Sequence, residues 1–138
     1  MGSLDKKTHM SEFQFKNPVL TDLVFEINND FDNHDKTQVQ IGLGIGVNIE
    51  KKGNNEATVK LSVEIGERSS KTPYFIRAVE KSDFRWRNEA ENMVDILLSQ
   101  NAPSLLLSYL RPIIHQITAA SPYGIYDIPF INFAKDNL

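Results

Sequence analysis

The sequence contains no cysteine, which excludes disulfides, thiolate zinc sites and cysteine nucleophiles and fits a reducing compartment. It also lacks any apolar run near the ~20 residues that span a bilayer, and its N-terminus has no apolar signal core. The expectation is a cytoplasmic protein without membrane insertion. A basic excess is missing too: Lys plus Arg is 15 against 18 Asp plus Glu, a formal charge of −3. A protein that covers phosphates carries the opposite balance, so nucleic acid is not an expected partner. Histidine is scarce and scattered over His9, His34 and His115, with no ligand-type spacing, so no metal is expected. No GxSxG, P-loop, HExxH or paired-carboxylate motif occurs. Nothing points to an enzyme, to catalytic residues or to a cofactor.

What is present suffices for one folded domain. The chain has 138 residues, 41% hydrophobic and 24% charged, and a domain of this size buries roughly two-thirds of its unfolded surface. Residues 1–12 are polar and patternless, and His9-Met10 resembles a cloning junction. They read as a disordered or vector-derived tail, with a single domain over 13–138. From Phe13 the period is two, with Phe13, Phe15, Val19, Leu23, Phe25 and Ile27 on one face and Asp22 and Glu26 among those on the other. Asn17-Pro18 interrupts this strand, because proline cannot donate to a ladder. A polar loop, 28–36, precedes the cleanest alternation, Val39 to Ile49 inward. Its outward positions include Gly42, Gly44 and Gly46, which read as thinning the outer face rather than as a phosphate loop. Lys51 to Asn55 form a hairpin turn, Ala57 to Ile65 alternate again, and Tyr74–Phe84 give a fourth, less regular strand. One-sided alternation with short connections predicts an antiparallel sheet.

From about Asn88 the period becomes helical. Asn101-Ala102-Pro103 ends one helix and begins the next, with Pro in the first turn. Leu106, Leu110, Ile113 and Ile117 form its apolar stripe, and Pro112 places a kink near Ser108. The tail from Ser121 is aromatic and punctuated by proline. The fold class is α+β: a four-stranded antiparallel sheet with helices packed on one face. Aromatic residues crowd the last strand, the long helix and the tail, at Phe84, Trp86, Tyr109, Tyr123, Tyr126, Phe130 and Phe133. They either cap the sheet–helix core or line an exposed apolar groove.

Together these segments resemble the SecB family of protein-export chaperones. Phe13-Gln14-Phe15 and Asp22-Leu23-Val24-Phe25-Glu26 are similar to that family's first strand. Leu106, Leu107, Tyr109, Arg111 and Ile114 resemble its long helix, and Ile128-Pro129-Phe130-Ile131-Asn132-Phe133 its tail motif. Ser108 stands where the family has proline, and Pro112 where it usually has an acid. Arg77 replaces an acid of the fourth strand, and the sequence stops five residues after Phe133, without the family's second long helix and acidic tail. It therefore reads as a divergent, shortened relative.

The resemblance implies an ATP-independent holdase that binds unfolded client polypeptide, a secreted precursor or an antitoxin. Its client grooves would be lined by Phe84, Trp86, Tyr109, Tyr123, Tyr126 and Phe130. It implies a homotetramer built as a pair of dimers, and docking of the translocase motor SecA through acids at Asp22 and Glu26. With Arg77 of opposite charge, that docking is expected to be weak or missing. The alternative is a binding or scaffold module on the same fold, of mobile-element or phage type, without chaperone activity.

Overall fold

The computed structural model describes residues 13–32 and 40–136. The calls on the tail 1–12, on His34 and on Val39 lie outside the described residues. Five strands make one antiparallel sheet: β1 (Phe13–Phe15), β2 (Val19–Ile27), β3 (Leu43–Lys52), β4 (Glu56–Gly66) and β5 (Tyr74–Trp86). β1 and β2 are the two halves of the interrupted first strand. β1 pairs with the end of β5, Phe13 opposite Trp86, and β2 with its beginning, Ile27 opposite Tyr74. Across the sheet the order is therefore β1/β2, β5, β4, β3, the four positions expected.

Pleating sorts the side chains. On β4, Ala57, Val59, Leu61, Val63 and Ile65 are all buried on the inner face. On β5 the even-numbered positions share that face, so Tyr74, Ile76, Ala78, Phe84 and Trp86 join the same core. The β3–β4 hairpin closes over Gly53 to Asn55, where Asn54 and Asn55 take φ of 67° and 60°, a region asparagine tolerates. Gly66 has φ +74°, and a Cβ there would lie 2.1 Å from the Tyr74 carbonyl oxygen.

Three local expectations are corrected. The register of β2 shifts between Leu20 and Asp22, a bulge that puts Leu20 on the inner face and leaves Val19 outside, opposite Lys81 and exposed. Next, the chain does not break at Asn101. A 3-10 stretch (Asn88–Met93), a short α1 (Val94–Ile96) and a π turn (Leu97–Asn101) run without interruption into α2 (Ala102–Ala119). Pro103 lies in the first turn of α2, and Pro112 lies inside a helix that continues past it. Third, the buried stripe of α2 runs through Leu106, Leu107, Leu110, Ile114 and Thr118, with Ile113 and Ile117 at its half-buried margin. The loop after β2 also contributes to the interior: Phe31 is buried, its ring edge-on to Tyr123 at 5.2 Å.

Candidate functional site

The segment after α2 turns at Gly124 (φ +95°) and returns antiparallel along the helix to a last turn, α3 (Phe133–Asp136). Side chains of α2 hold this strap by its backbone. The Thr118 hydroxyl accepts a hydrogen bond from the Tyr126 amide at 2.9 Å and donates to the Ile114 carbonyl at 2.7 Å. His115 Nδ1 lies 2.7 Å from Asp127 Oδ1. Arg111 donates to the carbonyls of Ile128 and Pro129, the latter at 3.0 Å. Ile128 and Phe133 pin the strap into the core.

The six aromatic residues of the expected client grooves are spread along this frame and do not meet in one cluster. Phe84 is 1% exposed and stacks on Phe13 at 5.4 Å between centroids. Trp86 is buried beside it and donates from Nε1 to Glu91 Oε1 at 3.0 Å. Tyr123 and Tyr126 lie at the opposite end of β5. The hydroxyl of Tyr74, the first residue of β5, donates to the Gly124 carbonyl at 3.4 Å. Twelve steps of ~3.3 Å along its thirteen residues put the ends of β5 about 40 Å apart. Burial pushes the Tyr74 hydroxyl up to about 12 and raises Tyr126 in the same way. Tyr109 and Phe130 are the open members, at 38% and 83% exposure. Phe130 belongs to a shallow hollow with Gln100, Asn101, Ser104 and Phe133.

Further apolar surface lies where parity alone did not put it. Phe15, Leu20 and Leu23 are exposed on the inner-face side of the β1/β2 edge. Among them sits Glu80, opposite Leu20 on one side and Leu61 on the other. It is only 3% exposed, its Oε1 has no hydrogen-bond partner among the described residues, and burial raises its pKa.

The outer face carries the charges. Asp22 and Glu26 both sit there, and both are engaged. Arg77 donates to Asp22 at 3.0 Å and to Glu64 at 3.2 Å, and these carboxylates raise its pKa further. Arg68 donates to Glu26 at 2.7 Å while its guanidinium lies 4.2 Å over the Phe75 ring. No group of three or more metal-ligating side chains occurs among the described residues, and none of their helices is long and apolar enough to cross a membrane.

The family model described as preprotein translocase subunit SecB matches residues 6–135. The chain belongs to the SecB family. Its fold is similar to that of a SecB-like chaperone of Mycobacterium tuberculosis, solved in complex with a peptide from the HigA1 antitoxin. That likeness has a TM-score of 0.68 at 10% identity and covers 87% of this chain and 91% of the other. A protein of unknown function from Streptococcus agalactiae aligns with a TM-score of 0.43 at 8% identity, over 86% of this chain and 97% of that one. No curated protein matches the sequence.

Sequence reasoning missed the strap contacts of Arg111, His115 and Thr118, although the SecB resemblance had singled out Arg111. A side chain that grips backbone carbonyls across a turn leaves no periodic signal. The exposure of Leu20 was equally hidden, because it follows from a bulge and not from spacing.

Proposed function

We propose that this SecB-family chain is a holdase that keeps a client polypeptide unfolded by offering apolar surface, with no chemical step and no cofactor. Membership of the SecB family across residues 6–135 carries this reading. The exposure of Phe130 on the strap and of Tyr109 on α2 supports it, because side chains of an extended client find apolar contacts at open aromatic residues. Phe84 and Trp86 are buried and Tyr123 and Tyr126 half-buried, so their part in client binding is expected to be smaller than that of the two open aromatics. The test is suppression of aggregation of a chemically denatured client. Suppression by the native chain that weakens on replacing Tyr109 and Phe130 together by Ala is expected. Absence of suppression at molar excess would leave a scaffold module.

The working form is a tetramer built as a pair of dimers. Phe15, Leu20 and Leu23 on one edge are apolar area that a single copy exposes, and symmetric self-association is the usual way to cover it. Light scattering at tens of micromolar that returns one chain mass would refute the tetramer.

The client is a specialised one, of the antitoxin kind, and not the general stream of exported precursors. The relative from Mycobacterium tuberculosis carries an antitoxin peptide. The acids Asp22 and Glu26, which the SecB resemblance marks for SecA, already have cationic partners within this chain. Titration with the basic SecA tail peptide is expected to show weak or no binding. A micromolar interaction that needs both acids and fades with salt would restore general export.

A further inference from the structure

The outer sheet face holds a second feature, which depends neither on the client surface nor on the chaperone reading. Lys60 on β4 and Lys81 on β5 are direct cross-strand partners, and like charges in that relation repel. The arginines on this face are each matched to a carboxylate: Arg77 with Asp22 and Glu64, Arg68 with Glu26, Arg85 with Glu56. Lys60 and Lys81 have no ion-pair partner among the described residues. Asp83, two residues from Lys81 on β5, is already committed. It accepts from the Thr58 hydroxyl at 2.6 Å, which lowers its pKa, and it shares its field among Lys52, Lys16 and Lys81.

Beside the two lysines the face sinks into a shallow hollow floored by Gly46, Ser62 and Val79 and rimmed by Lys60, Asn48 and the Arg77–Asp22 pair. The hollow opens where β3 presents Gly46 outward, Gly44 lying just outside its lining. At Gly44 a side chain would meet open space, and at Gly46 it would meet the Ser62 hydroxyl at 2.9 Å. The glycine run that no phosphate chemistry explained thus bares backbone next to an unmatched positive pair.

We propose that this hollow is a docking site for an extended acidic segment of a partner protein, its main chain over Gly46 and Asn48, the latter opposite Lys60, and its carboxylates on Lys60 and Lys81. In an extended chain, residues two apart project to the same side about 6.6 Å from one another, a spacing two adjacent flexible lysines can both reach. A polypeptide fits better than a nucleic acid. Asp22, Glu64, Asp83 and Glu50 interleave with the lysines on this face, and evenly spaced phosphates would meet them, whereas a peptide can place apolar or neutral residues there.

The test is fluorescence anisotropy of a labelled peptide with a single Glu-Val-Glu step flanked by serine and valine, added to the full chain. Controls are the same peptide with glutamine for glutamate and a single-stranded oligonucleotide. Salt-sensitive binding of the acidic peptide alone is expected, with affinity reduced about tenfold or more in Lys60→Glu and in the Lys60→Glu/Lys81→Glu double variant. Lys71→Glu, an equal charge change in the β4–β5 loop, should leave it unchanged. Lys60→Glu also puts an opposite charge across from Lys81, so its melting temperature should hold or rise. Loss of binding in a more stable protein separates docking from damage to the fold. Equal binding of the glutamine peptide, tighter binding of the oligonucleotide, or undiminished binding by the double variant would each overturn the proposal.

Discussion

Arg77 and Asp22 face one another across the outer sheet surface, the guanidinium Nε donating to the carboxylate at 3.0 Å, with Glu64 on its other side at 3.2 Å. One cation thus occupies two carboxylates that would otherwise form an open acidic patch. Replacing Arg77 by Glu removes the clamp and adds a third acid. A basic peptide is expected to bind the variant measurably tighter than the native chain, in a salt-dependent manner. Calorimetric titration checks this; equal affinities would show that the pairing does not mask the patch. Stability should change little, since the groups are solvent-accessible and screened.

Trp86 is buried against Phe13, with ring centroids 6.4 Å apart, and its Nε1 is tied to Glu91. Trp86→Ala should therefore cost about 3 kcal/mol of folding stability, because a buried aromatic leaves a cavity. Denaturant melts check the figure. Phe130→Ala should leave the midpoint nearly unmoved, so only at Phe130 does a change in client affinity report on contact alone.

Arg111→Ala removes both donors that hold the carbonyls of Ile128 and Pro129. A cost of about 1–2 kcal/mol is expected, concentrated in the strap. Hydrogen exchange should speed up at Tyr126, whose amide is bonded to the Thr118 hydroxyl, while amides of β4 keep their protection.

Glu80 gives a pH signature with a defined sign. Its folded pKa lies above the usual value of 4.5, so the folded state holds the proton more tightly than the unfolded chain. The stabilising contribution is complete below about 4.5 and is lost as pH rises through the raised folded value. Glu80→Gln removes the charge that burial opposes. It should raise stability at neutral pH by about 1 kcal/mol, and the gain should shrink as the pH falls through the raised folded value and be gone below about 4.5. Thermal melts across that range test it; a gain independent of pH would place the effect elsewhere.

Much of the fold was legible because β3 and β4 alternate without a fault, so pleat and register follow from spacing. Two of the three corrected expectations have a particular physical reason. Both Ile113 and Ile114 are apolar, so periodicity cannot decide which one faces the sheet. The decision falls to Thr118, whose hydroxyl is buried because the Ile114 carbonyl and the Tyr126 amide satisfy it. The bulge after Leu20 changes which side chains point inward without any glycine or proline to announce it. As for the candidate site, the aromatic residue types were visible. Their separation along β5 was not, since it depends on where each meets α2 and the strap.

The strap also shapes how the chain reaches its structure. Its bonds to α2 join residues 8 to 18 positions apart, whereas β2 meets β5 across separations such as Val19 to Lys81. Short loops close at less entropic cost than long ones. On that ground the helix and strap are expected to assemble while the sheet still lacks its first strand, with β1 and β2 docking late along β5. Until that happens, the edge of β5 stands open in a chain whose proposed task is to hold other chains open. During its own folding this protein is, for a time, the same kind of molecule as the client proposed for it.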